Sequence, residues 1–481
     1  MPVRPARILL AALLLFAVRT ACAEPVELPF ETDITAKSVT IELYDSRLEV
    51  VYDADLAPSV RVTNLLAESS GGFVLVDDDN GGLTIERPHG NPDTAPPLLV
   101  KLRLAPSTPL IVKGNKLTID VERFGETRPA GDAGAAERAI PNDPPLVHFT
   151  GNESSLHVTG VPFECTGRAN HVTTDAVRGT VRAQLQQGDL AVETLVGVLD
   201  LRLDRTAARF ATVRGSVRAQ LEGAELRGVG GEGHVEVTTS GGTLELEEWS
   251  GPVVVNGDDA RIEWRAVTSE SQASSIAGRG NEIHIETTKG PLQVEMNGGR
   301  CEARGLGGQS QFTLRGAGSL DVDNTAAPLR VVLAESSSAR LRELGSEAVV
   351  RGEQSSVELR GAQNLVLRLS GGSVVGREMT GRLEVHATDA EVDFEITAAA
   401  SSPEFELAGA TRARIALPQP CYVQLTGERD AGSADRVTLT GCEGDADGRR
   451  AYTMRPPGSK PPVLVKARVS EGASAEIRAG L

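Results

Sequence analysis

The sequence predicts an all-β chain, a single-stranded parallel β-solenoid with coils of about 18 residues. Three observations carry that expectation. A repeat of that period runs through the middle of the chain. Within each copy, apolar residues alternate with polar ones. No stretch shows the 3.6-residue periodicity of a helix, and Gly and Thr recur through the copies.

The segment Val177-Arg-Gly-Thr-Val-Arg-Ala-Gln-Leu185 returns as Val213-Arg-Gly-Ser-Val-Arg-Ala-Gln-Leu221, with a divergent copy between them that starts at Gly197. Glycines at 179, 197, 215, 233 and 251 fix the period. Continued in both directions, the register yields thirteen copies, from Val161 through starts near 272, 290, 308, 327, 345, 363 and 381. Extra steps of three residues after Thr268 and of one after Gly318 interrupt it. Counted from the leading glycine, the second and fourth positions are apolar (Val181 and Ala183, Leu199 and Leu201, Val253 and Val255). So are the eleventh, thirteenth and sixteenth (Leu244, Leu246 and Trp249; Ile262, Trp264 and Val267).

Period-two runs bounded by Gly, Asp, Asn and Ser are short strands with one buried face. One copy cannot bury its own face, so neighbouring copies must do so. At ~4.8 Å between stacked strands, thirteen coils predict a rod of roughly 60 Å. The eighth position reads Gln187, Arg205, Gly223, Gly241 and Asp259. It lacks the small apolar residue of a left-handed hexapeptide helix, so the usual right-handed crossover is expected. A propeller is excluded because its blades need about 40–50 residues each.

The flanks complete the division of the chain. Arg4 and Arg7, the apolar run Ile8–Val18 and Ala21-Cys22-Ala23 before Glu24 make residues 1–23 a secretory signal peptide, too short to span a bilayer. Residues 24–124 contain strand-like runs such as Ser38–Leu43 and Leu98–Leu104 and form a less regular β-solenoid or cap region. Residues 125–145, Pro, Gly, Ala and charge without pattern, form a linker or exposed loop. Residues 146–442 are the regular solenoid, and 443–481 a tail in which Val463–Val469 is one last, capping strand. The leader, the Leu98–Pro106 run and the Gly-x-Val-x-Val coils resemble bacterial exported adhesin-like families with toast-rack β-helix domains of unknown function. The resemblance covers most of residues 36–400 and implies no catalytic motif.

Composition narrows function further. Net charge is −17 from 66 acidic and 49 basic residues, with no basic block, which argues against nucleic acid as a partner. No later run is long enough for a transmembrane segment. The seven histidines show no metal-ligand spacing, so neither metal nor cofactor is expected. Asp77-Asp-Asp-Asn80-Gly-Gly82 has the wrong spacing for a calcium loop and reads as a tight hairpin turn. Cys165 and Cys301 fall in inward columns far apart along the stack and read as buried thiols. Cys421 and Cys442 lie about one coil apart and are expected to form a disulfide in an oxidising compartment.

One outer face invites a ligand. Glu245, Glu263, His284 and Glu302 fall in the twelfth column, and Glu247, Arg265, Glu286 and Arg304 alternate in the fourteenth. Stacked carboxylates could serve a glycoside-cleaving enzyme, whose pair sits ~5–9.5 Å apart. The plainer reading is a solvated face balanced by its own arginines. The sequence is therefore read as a non-catalytic exported protein, periplasmic or on the cell surface, an adhesin-like binding or structural solenoid with an envelope glycan or protein as partner. The alternatives are a polysaccharide-active enzyme using these carboxylates, or an envelope-stress sensor acting through a protein. The Ala-x-Ala site predicts a mature chain beginning at Glu24. Intact-mass analysis of the exported protein checks it: a diacylglyceryl group on Cys22 would make it a lipoprotein instead.

Overall fold

A computed structural model describes residues 29–64, 73–77, 81–86, 97–124, 145–418, 421–426, 437–440, 443–444, 450–452, 463–470 and 472–479. The expected leader, the 125–144 stretch, Asp78–Asn80 and Cys442 lie outside them. The described residues form strands and turns and no helix. The chain divides into two compact units, Met1–Gly215 and Ser216–Leu481, and each is a parallel β-solenoid.

In the first unit Val147, Phe163, Val181 and Leu199 stack in register from coil to coil, the first step falling two short of the period and the next two matching it. In the second, Val235 pairs with Val253, and Ser274, Leu292, Ser310, Leu329, Ala348 and Leu365 follow one another. The three-residue insertion after Thr268 is present, since Val254 pairs with Ser275, and the loop is held by the Ser269 hydroxyl donating to the Gln272 carbonyl at 2.6 Å. One copy departs from the expected register. The steps from Ser310 to Leu329 and from Leu329 to Ala348 are each one longer than the period, and the step to Leu365 is one shorter. The coil read from 345 therefore starts one position later. The reason is burial: Ala348 and Val350 are fully inside, whereas the sequence register would have turned Glu347 inward. The additional residue sits in the turn at Glu335–Ser337, where Glu335 and Ser336 both take positive φ.

Inward positions are as uniform as the repeat demands. Trp249 and Trp264 are both buried, and the Trp249 indole N–H donates to the Gly233 carbonyl at 2.9 Å. Gly231 makes room for the Trp249 ring, because a Cβ there would lie 2.1 Å from it. At the corner that follows the first strand of the coils, each unit buries its own column of small residues: Ser154, Asn170 and Thr206 in the first, Ala224, Ala260, Asn281, Ser337 and Ser355 in the second. The two asparagines bridge coils. Asn170 accepts from the Ser154 N–H at 3.0 Å and donates to the Gly151 carbonyl at 2.8 Å. Asn281 does the same with Ala260 at 3.0 Å and Gly257 at 2.7 Å. Each satisfies backbone groups that burial would otherwise leave unpaired.

The eighth position, just outside that column, is where the backbone turns. Gln187, Arg205 and Asp259 have φ of 53°, 46° and 53°, a left-handed conformation costing a non-glycine residue ~1–2 kcal/mol. The ladder itself holds them there. The Gln187 N–H donates to the Asp204 carbonyl at 3.0 Å and the Asp259 N–H to the Arg279 carbonyl at 2.8 Å, so hydrogen bonding continues around the bend.

At the two chain termini, order in space departs from order in sequence. Ser38–Tyr44 and Arg47–Tyr52 lie between Leu110–Asn115 and Thr118–Arg123 on one side and the later strands Gly82–Glu86 and Leu98–Leu104 on the other. Antiparallel strands Ser59–Asn64, Phe30–Asp33 and Val74–Asp77 then close that end, the last forming the expected hairpin with Gly82–Glu86. In the second unit Val463–Val469 is not the final strand that the sequence suggested. It lies between Glu391–Ala408 and Cys421–Thr426, because the chain doubles back, and Arg450–Tyr452 pairs antiparallel with the outer strand. Leu110 pairs directly with Val147, so the strands on either side of the 125–144 stretch belong to neighbouring coils.

Excising one coil, Gly290 through Gly307, leaves every inward column in place and should lower the thermal midpoint by only a few degrees. Excising Gly290 through Gly298 would instead stack Arg315 on Thr288 in a buried column, leaving groups unpaired at ~1–3 kcal/mol each, and should broaden or abolish the transition. Circular dichroism melts of both variants test this; equal damage would mean that the excised coil is not the structural repeat.

Candidate functional site

The outer face singled out in the sequence is assembled by four strands of the second unit, Thr243–Ser250, Arg261–Arg265, Glu282–Thr288 and Arg300–Leu306. Parallel register places Glu245, Glu263, His284 and Glu302 on successive coils, and Glu247, Arg265, Glu286 and Arg304 beside them. The expected columns are present, and the next column outward, Arg261, Glu282 and Arg300, also alternates in sign.

This lattice pairs its own charges. Glu263, with its side chain only 13% exposed, has Oε1 on Arg261 at 2.6 Å and Oε2 on Arg265 at 3.4 Å. Glu245 faces Arg227 at 3.6 Å. His284 lies 3.3 Å from Glu282 and 3.4 Å from Glu302, which also takes an ion pair from Arg300. Glu286 stands exposed between Arg265 and Arg304 in register. A general acid or nucleophile needs an oxygen free to approach the substrate. Both oxygens of Glu263 are already engaged. The cleft between Glu245, Glu247 and Glu263 measures about 10 Å³, room for about one water and none for a sugar ring.

A second titratable cluster, which the sequence reading passed over, lies on another face of the same unit. His386 has Nε2 2.8 Å from Glu384 and Nδ1 2.8 Å from Glu406, while Arg382 pairs with Glu384 at 3.0 Å. The hydrogen bond from His386 holds the Glu384 carboxyl below its usual range. The signal was hidden because Glu384 and Glu406 are separated by irregular steps in the ladder between Glu391–Ala408 and Asn364–Thr388.

Among the described residues no three His, Cys, Asp or Glu side chains are grouped to hold a metal, and no helix is long and apolar enough to cross a membrane. Cys165 stacks between Phe149 and Ala183 and Cys301 between Ile283 and Leu320, both fully buried thiols. Burial pushes the Cys165 thiol up to about 12 and raises Cys301 further, with Glu302 adding to the effect. Cys421 is buried in register with Val463, and its expected partner Cys442 lies outside the described residues. Compared with protein-family models, curated proteins and solved structures, the chain matches none.

Because only thiolates react, Cys165 and Cys301 should resist a maleimide in the native protein and label on unfolding. Non-reducing peptide mapping should place Cys421 with Cys442; a Cys165–Cys301 linkage would contradict the stacking register.

Proposed function

We propose that the protein is a non-catalytic exported module of the bacterial envelope, adhesin-like in character, that binds a glycan or protein partner along the lateral surface of its coils. The carrying observation is Glu263, which spends both carboxylate oxygens on Arg261 and Arg265 beside a cleft of about 10 Å³. Charges arranged this way stabilise a stacked face and leave little for bond cleavage. The leader-like N-terminus and the resemblance to exported adhesin-like families support an envelope location, with Cys421–Cys442 as a disulfide formed after export.

Two measurements test this reading. Incubated with a panel of neutral and acidic polysaccharides, the protein should release no reducing ends, and Glu263→Gln should cost about 1 kcal/mol of stability without altering any such assay. Depolymerisation that Glu263→Gln abolishes would replace the binding module with an enzyme. Cross-linked capture from the native envelope should then recover a stoichiometric glycan or protein.

A further inference from the structure

A second outward face of the second unit carries an unbalanced column of positive charge. Between residues 340 and 382 there are seven arginines, and five have carboxylate partners: Arg340 with Glu358 at 2.9 Å, Arg342 with Asp321 at 2.9 Å, Arg360 with Glu378 at 2.9 Å, Arg377 with Asp393 at 3.0 Å and Arg382 with Glu384 at 3.0 Å. The other two, Arg351 and Arg368, have no ion-pair partner among the described residues. The ladder stacks them directly on each other. Like charges directly opposite across a strand pair are destabilising. Neither flanking column alternates with it in sign: one stacks Val349 on Val366, and the other stacks Glu353, which has no ion-pair partner among the described residues, on Ser370.

The two arginines line a shallow groove of about 500 Å³ with Ser370, His386 and Thr388, floored by Leu369. Half-buried Val332, Val349 and Val366 lie on the same outward face: Val332 precedes Arg351 in its column, and Val349 and Val366 stack in the adjacent one. His386 is held on the side of Glu384 and Glu406, so the positive stretch ends there. The groove thus offers two guanidinium groups one coil apart, at ~4.8 Å, beside hydroxyl donors and flat aliphatic surface.

We propose that this groove binds an acidic polysaccharide, with Arg351 and Arg368 gripping the anionic groups of successive sugar residues. Planar guanidinium groups suit paired contacts to carboxylate oxygens. A coil step is comparable with the advance per residue of an extended sugar chain, so a ligand running along the stack meets one arginine per residue. Ser370 and Thr388 hydrogen-bond sugar hydroxyls, and the valines receive the C–H faces of the rings. An extended polyphosphate fits less well, because it carries a charge on every unit and offers no ring faces for the valines, while this face supplies only two stacked cations.

The proposal rests on the lateral surface being a binding surface, and the test separates the two. Calorimetry on the full mature chain uses hexagalacturonate as the probe, with maltohexaose as neutral and tripolyphosphate as non-sugar comparison. Hexagalacturonate should bind saturably and more weakly as salt rises, with affinity falling about tenfold in Arg351→Gln and in Arg368→Gln and less than about twofold in the paired Arg360→Gln. Both groove variants should melt no lower than the parent, because each removes a like-charge contact. No saturable binding, an equal loss in Arg360→Gln, a lowered melting point in both groove variants, or equally tight tripolyphosphate binding lost in the same variants would overturn the assignment. If hexagalacturonate fails while envelope capture persists in the Arg351→Gln, Arg368→Gln double variant, the groove assignment falls and the binding-module reading stands. Loss of capture in the parent itself would remove that broader reading.

Discussion

In-register parallel stacking is the constraint on which everything else depends. Once Ser274, Leu292, Ser310 and Leu329 share one ladder, each residue meets its counterpart in the next coil at ~4.8 Å for the whole length of that stack. A residue type that is tolerable once must then be tolerable against itself or against its neighbour's substitute. Inward columns therefore converge on Val, Leu, Ile and Ala, and charged outward columns either alternate in sign or carry repulsion. The left-handed corners follow from the same rule. Gln187 and Asp259 accept a strained φ because their N–H groups still bond the next coil at the bend. The local cost is offset by keeping the strands on either side of the bend in register with those of the next coil.

That constraint also explains which parts of the fold were legible in the sequence. The period, the inward columns and the charge columns around Glu263 could be read because stacking forces chemistry to recur at fixed spacing. The corner columns, with Asn170 in one unit and Asn281 in the other, were harder to see, since Ser, Thr, Asn, Ala and Gly share size and not polarity. The shifted coil at Ala348 escaped because a turn absorbed one residue and the following turn gave it back. For the same reason Arg351 and Arg368, which pair at a spacing one short of the period, do not line up under a strict repeat. The terminal strands could not be ordered at all. Spacing reports how far apart two strands are in the chain and says nothing of a chain that doubles back.

The doubling back has its own physical logic. A parallel stack ends in a row of unpaired backbone donors and acceptors, a template for another chain's strand. Continuing the coil would only move that edge outward. Here a later segment is inserted beyond an earlier one, Leu98–Leu104 beyond Arg47–Tyr52, and Cys421–Thr426 is placed beyond Val463–Val469. Short antiparallel strands then occupy the outer positions. Antiparallel pairing has a different hydrogen-bond spacing from the ladder it covers, so the outer row no longer matches the open edge of another parallel stack.

The two charged faces of the second unit are consequences of one rule applied with opposite results. Around Glu263 the flanking columns alternate, and the stacked Glu245 and Glu263 are each covered by neighbouring arginines, with little left to engage a ligand. At Arg351 and Arg368 two like charges stack without a carboxylate partner, while the other five arginines between residues 340 and 382 are paired. In a chain with 66 acidic residues, carboxylates to complete that column are not scarce. A column left positive in such a chain is therefore poorly explained by folding alone. Proteins commonly give up stability where a surface must hold something else. The acidic column is built to satisfy itself, whereas the arginine column has capacity to spare, and a ligand bearing regularly spaced negative charge is the chemistry that would use it.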